Sequence, residues 1–260
     1  PHPLSSAASD VYKRQARLLQ DVSDPVIIGT GFPVAGSFET DGPVGAIALY
    51  RALESLGAQP WLACAPPLAD RIGGDYRVLG LSCTDLEQAT REARAALAEL
   101  SPAAVVSIER PGMTDDGRYY NMRGVDITDQ CGIFDPFVTE CACPSIGIGD
   151  GGNEIGMGKV RDAVASLSIR GAVTPCDELV VADVSNWGAY GLILFLGRWA
   201  GNDLLAELAP LEVLEYLSSL GSVDGVTGEN TLTEDGMSAD EGLALIEELR
   251  LLADGALIDD

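Results

Sequence analysis

Short β-branched runs alternate with longer stretches of helical period along this chain, and that alternation limits the fold more than any other feature. Residues 25–29 (PVIIG) read as a buried strand running into a glycine-rich loop. Ala46, Leu49, Tyr50, Leu53 and Leu56 then share one face of a helix over residues 43–56, which Gly57 ends. Residues 61–64 give a second strand. Thr84 and Glu87 read as a capping box for a helix with Leu86, Ala89, Ala93, Ala96, Leu97 and Leu100 along one side, stopped by Ser101 and Pro102. Residues 104–108, 146–148 and 179–182 supply further strands. A helix follows over residues 188–200, and the tail is helical over 204–220 and 240–253. Strands alternating with helices predict a mostly parallel sheet covered on both faces, a Rossmann-like three-layer α/β/α sandwich with a helical C-terminal tail.

Charge narrows the classes of partner. With 40 acidic against 16 basic residues, the formal net charge is −24. Such a chain repels nucleic acid phosphates and anionic lipid, so neither is an expected partner. No apolar run approaches the roughly eighteen residues a membrane span requires. Arginine supplies nearly all the positive charge, a balance that resembles proteins of halophilic archaea, and the expected setting is the cytoplasm of such a cell. The first fifteen residues, PHPLSSAASDVYKRQ, resemble adapter-derived translations and are expected to be a non-native tail, leaving residues 16–260 as a single domain. His2 is the only histidine, so that domain has none. Six cysteines, at 64, 83, 131, 141, 143 and 176, follow no zinc or redox spacing and read as small apolar residues in a reducing compartment.

In a parallel sheet ligands sit at the carboxyl ends of the strands. The chemically unusual segments all follow strands: residues 29–43 after the first, Glu109 to Gly112 (ERPG) after the third, and 183–188 after the last. The richest is IGIGDGGNEIGMG, residues 146–158. Its glycines permit close backbone approach, and Asp150, Asn153 and Glu154 offer hard oxygen ligands or proton acceptors within one turn. With no imidazole nearby, a metal held there is expected to be Mg²⁺ or Mn²⁺.

Four segments taken in order, TGFPVAGSFETDGPVGA (30–46), ERPG with YYNMRGVDIT (109–112, 119–128), IGIGDGGNEIGMG and VSNWGAYGL (184–192), resemble the D-glutamate cyclase C-terminal-domain family, and GSVDGVTG extends the likeness to about Thr227. The resemblance implies a lyase that removes water from D-glutamate to give 5-oxo-D-proline. Closing that ring needs a deprotonated amine, an electrophilic γ-carboxylate and the two held together. Arg110 and Arg123 are the first choices for a carboxylate clamp, with Arg118 and Lys159 behind them and the N–H groups of Gly151 and Gly152 opening a helix. Thr30, Gly31, Asn121 and Asn186 are further expected substrate contacts. Without histidine the base is a carboxylate, a shifted Lys159, a Tyr or a Cys; Glu39, Asp41, Glu109 and Glu154 compete, beside Asp150. Asp41 also reads as a cap of the first helix, and Ser185 as a cap of the helix near Gly188. Two other readings stand beside the lyase: a non-catalytic dicarboxylate-binding domain, and a nucleotide-binding domain using Gly147, Gly149 and Gly152 as a GxGxxG loop. The like charge of Asp150 and Glu154 and the missing Walker lysine oppose the latter, so no nucleotide cofactor is expected.

Overall fold

The computed structural model describes residues 6–82 and 85–254. In chain order the elements are α1 (Ser6–Arg17), β1 (Pro25–Thr30), β2 (Pro33–Val34), β3 (Ser37–Phe38), α2 (Pro43–Ser55), β4 (Gln59–Cys64), α3 (Leu68–Ile72), β5 (Val78–Gly80), α4 (Leu86–Leu100), β6 (Ala104–Ile108), α5 (Asp135–Thr139), β7 (Ser145–Gly149), α6 (Arg161–Val164), β8 (Glu178–Val181), α7 (Ser185–Ala200), α8 (Pro210–Ser219), β9 (Thr233–Glu234), β10 (Met237–Ser238) and α9 (Ala239–Asp254).

The central sheet runs β5-β4-β1-β6-β7-β8, and all five of its pairings are parallel. Its strands are buried on both faces, which is why they read as continuous apolar runs. Val26 and Ile28 pack toward α1, α2, α7 and α8, whereas Ile27 packs toward α4 and α5. Val106 and Val105 divide in the same way. This is the three-layer α/β/α sandwich expected. Numbered within the sheet, the order is 3-2-1-4-5-6, with the reversal between β1 and β6. Connections leave these two neighbours in opposite directions, opening a crevice at their carboxyl ends.

Several boundaries differ for local reasons. α7 starts at Ser185, three residues before the expected start, because its cap comes from elsewhere in the chain. α8 starts at Pro210, a residue that suits the first helical turn but not its interior. Strand β5 is three residues long, too short to show a period. Thr84, one half of the expected capping box, lies outside the described residues; the observed cap of α4 is Asp85, whose carboxylate accepts from the Gln88 N–H at 2.8 Å.

Residues 1–15 read as a non-native tail, yet Tyr12 and Gln15 of that stretch pack against the rest of the chain. Tyr12, Ala16 and Leu19 lie at helical spacing along one side, and α1 docks on α7 with the Tyr12 ring over Gly191. Gln15 is fully buried and donates to the Glu178 carboxylate and the Leu179 carbonyl, both at 3.2 Å.

Candidate functional site

The crevice between β1 and β6 collects carboxylates. Asp41 comes from the connection into α2, Glu109 immediately follows β6, and Asp150 immediately follows β7. One oxygen from each lies within 4.8 Å of the others. Glu39 and Glu154 are close enough to raise the titration of this group, as is Asp235. Asp41 and Glu109 are buried and Asp150 is partly so.

Two helix starts hold the cluster by capping each other. Asp41, at the head of α2, accepts from the N–H groups of Ser185 (2.9 Å) and Asn186 (2.8 Å), the first residues of α7. In return Asn186 Oδ1 accepts from the α2 N–H groups of Gly42 (2.8 Å) and Gly45 (2.6 Å). Neither helix receives a side-chain cap from its own preceding residue. Each therefore satisfies orphan donors of the other. Gly42 makes the approach possible: its φ is 88°, and a Cβ there would stand 2.7 Å from Glu109 Cβ and 2.9 Å from Thr30 Oγ1. Glu109 itself has a φ of 44°, a strained value for a residue with a side chain, and its Oε2 accepts from Ser185 Oγ at 2.6 Å.

Burial and like charge set the electrostatics. Burial, then the neighbouring Asp41 and Glu154, push the Asp150 carboxyl up to about 9. Burial also raises Asp41 to about 6, against the N–H groups that favour its charged form. Glu39 and Glu109 are held well above the ordinary carboxylate range, again by burial first and acidic neighbours second. Among the described residues no Arg or Lys forms an ion pair with any of these groups; the nine ion pairs present all lie elsewhere. A cluster of this kind either keeps protons or attracts a cation.

The donor chemistry fits a hard divalent ion. All three clustered ligands are oxygens, and a six-coordinate ion with bonds near 2.1 Å keeps its ligand oxygens roughly 3 to 4 Å apart. Thr30, 1% exposed, leaves its Oγ1 buried without a partner at the edge of the same cluster. Of the expected ligand set, Asp150, Asn153 and Glu154, only Asp150 joins this cluster. Asn153 donates Nδ2 to the Tyr120 carbonyl at 3.0 Å, and the Glu154 carboxylate turns back to accept from Gly151 (3.1 Å) and Gly152 (2.8 Å). Asp41 and Glu109 stand with Asp150 instead.

The expected cationic clamp is also rearranged. Arg110 is 2% exposed, and its guanidinium donates to the carbonyls of Thr30, Gly31 and Gly132, so it braces the loop after β1. Gly31 serves that brace with its carbonyl. Arg118 pairs with Asp126, and Lys159 donates to the Asp177 carbonyl. Arg123 is exposed and donates Nη2 to the Val226 carbonyl at 3.0 Å. Its neighbour Met122 lies against Gly151, while Gly225, before Val226, lies against Glu39; Arg123 thus joins two loops at the lip of the acidic crevice. Asn121 Oδ1 is taken by the N–H groups of Arg123 and Val125, both at 3.0 Å, shaping that turn. Asn186, expected to reach substrate, is fully buried in the caps and also donates to Glu234 at 2.7 Å. Gly151 and Gly152 were expected to open a helix for an anion; no helix starts there, and their N–H groups serve Glu154. That removes the phosphate cradle on which the nucleotide reading depended.

Two further points concern caps. Asp41 accepts from the Gly42 N–H at 2.9 Å at the head of the helix it precedes and also caps α7, whereas Ser185 gives its hydroxyl to Glu109 rather than to a cap. Glu234 and Asp224 were not anticipated. Asp224 is fully buried and anchors the 222–236 loop through Val226, Thr227, Thr233 and Gly236. The signal for Glu234 was the acidic turn TEDG inside a segment read only as a polar loop, and that for Asp224 was its place in GSVDGVTG. Of the cysteines, Cys64 and Cys131 are buried, and burial pushes both thiols up to about 12. Cys83 lies outside the described residues.

Comparison with known proteins agrees with the ordered motifs. Mitochondrial D-glutamate cyclase of Homo sapiens is 37% identical over 194 residues, covering 64% of this chain and 32% of that protein, so the chain spans about a third of the relative's length. A solved structure of an exopolyphosphatase-related protein from Bacteroides fragilis is 13% identical with a TM-score of 0.47, covering 97% of this chain and 58% of that one, a likeness too distant to bear on function. A family model, described as D-glutamate cyclase-like, C-terminal, matches residues 3–250. With that match over nearly its whole length, the chain belongs to the D-glutamate cyclase-like C-terminal family.

Proposed function

We propose that this domain is a cation-dependent lyase that closes D-glutamate to 5-oxo-D-proline with loss of water. The observation carrying the proposal is the triad of Asp41, Glu109 and Asp150 at the sheet's switch point, unpaired with any basic side chain among the described residues, in a chain of this family. In the reaction the amine nitrogen bonds the carbon of the γ-carboxylate, one C–O bond of that carboxylate breaks, and the oxygen leaves as water with two of the three ammonium protons. Asp41, Glu109 and Asp150 would hold a Mg²⁺ or Mn²⁺ ion, which when bound supplies a Lewis acid for the γ-carboxylate. Asp41 and Glu109 are held in register by the capped helix starts and by Ser185, so the site is organised before ligand arrives. Glu154 shapes the 150–154 loop by accepting from Gly151 and Gly152. Arg123, at the lip, is the basic group best situated to meet a substrate carboxylate, exchanging the Val226 carbonyl for it. The acidic charge of −24 suits a cytoplasm of high salt.

The test is incubation of the purified protein with D- and L-glutamate, with and without Mn²⁺, and assay of 5-oxoproline. Product that requires both D-glutamate and the ion supports the reading. Binding of D-glutamate without product would replace it with a dicarboxylate-binding role.

A further inference from the structure

The triad leaves one buried carboxylate unexplained. Glu39 is 7% exposed, and no hydrogen bond reaches its side chain from any described residue. Its surroundings are acidic, with Asp41, Asp150, Asp235 and Glu154 all close enough to act on it. Its backbone is fixed: its N–H donates to the Phe32 carbonyl at 3.1 Å, the next N–H donates to the Val223 carbonyl at 2.9 Å, and Glu39 bridges Val223 in parallel register. A stiff stem thus holds the carboxylate with no partner of its own.

Room for that carboxylate is made by Gly225. A Cβ there would stand 2.1 Å from Glu39 Oε2. Buried carboxylates without a donor or counter-cation are costly, and they persist where a ligand brings what is missing. The triad accounts for one divalent ion but does not include Glu39. D-glutamate has a single cationic group, a primary ammonium with three donors and no acceptor. Among the described residues the crevice has acceptors in excess and no basic side chain paired to them.

We infer that Glu39 receives the substrate's ammonium, with Gly225 leaving the space for it. This assignment rests on the cyclase reading for its ligand. It gives the amine a berth in the same crevice as the cation triad, where the two groups that must join are kept near each other. It also makes the site selective for amino dicarboxylates over plain dicarboxylates.

Calorimetric titration of the whole chain in Mn²⁺ tests it, with D-glutamate compared against glutarate, which has both carboxylates and no amine. The wild type is expected to prefer D-glutamate by about tenfold or more, the scale of a charge-assisted hydrogen bond. Glu39→Gln should bring the two ligands to within about threefold while glutarate affinity stays put. Gly225→Ala displaces the carboxylate without removing its charge and should narrow the preference in the same way. Equal affinities in the wild type, no D-glutamate binding, or an undiminished preference in both variants overturns the assignment. A preference that depends on Glu39 but yields no 5-oxoproline would uphold the ammonium berth and overturn the cyclase reading. Product formation with the preference intact in both variants would do the reverse.

Discussion

Truncating Asn186 to alanine tests whether the reciprocal caps hold the site together. Asn186 is fully buried, and its loss strips the acceptor from the Gly45 N–H and a donor from Glu234, while the Gly42 N–H keeps Asp41 Oδ1 at 2.9 Å. A buried polar group left unsatisfied costs about 1–3 kcal/mol. Two such groups, with one water admitted into the gap, give a loss of about 2–4 kcal/mol. For a domain of this size each kcal/mol is about 2–4 °C of Tm, so a fall of roughly 10 °C is expected by scanning calorimetry. Mn²⁺ affinity should drop as well, because the start of α2 carries Asp41. A cooperative melt within about 3 °C of wild type would refute the reasoning, since the orphaned groups would then have cost almost nothing.

Asp150→Asn is expected to lower turnover at least about a hundredfold, as for loss of a group acting on the transition state; because the amide replaces a carboxyl whose proton burial and acidic neighbours already retain, its metal-free Tm should not fall below wild type. Arg110→Met should lower the denaturant midpoint by about 3 kcal/mol or more of stability through three lost carbonyl contacts; an unchanged midpoint with a raised KM would return Arg110 to the substrate. Arg123→Ala should raise KM for D-glutamate with Tm unchanged, and a wild-type KM would remove Arg123 from the site. Burial, then Asp41, raises Glu234 to about 7. Its contribution to stability is therefore complete below about pH 4.3, its unfolded value, and is lost as pH rises through 7. Urea melts at pH 5 and 8 should show that decline in wild type and a shallower one in Glu234→Gln.

The layers of the fold were legible because buried parallel strands and amphipathic helices write their periods into the sequence. The site was legible as chemistry more than as geometry. Asp41, Glu109 and Asp150 stood out as acids after strands, and they do converge. Their partners did not stand out, because beside the adjacent Gly42 N–H Asp41 finds two donors about 145 residues away, and no local pattern encodes that. Arg110 looked like a substrate clamp for the same reason. Its carbonyl partners at residues 30, 31 and 132 are fixed by tertiary structure, and a buried guanidinium takes the nearest acceptors available. Glu154 reads as a ligand in a line of text, and in space its carboxylate accepts from the two N–H groups beside it.

Gly42 offers a means of sorting relatives by one letter. Any side chain at that position would strike the stem of Glu109, the hydroxyl of Thr30 and the Ile108 carbonyl, on a backbone already turned to φ 88°. A family member with a larger residue there must have pried α2 away from the sheet. Such a protein would keep the sandwich and surrender the chemistry, which makes the position a marker for descendants that have drifted to other work.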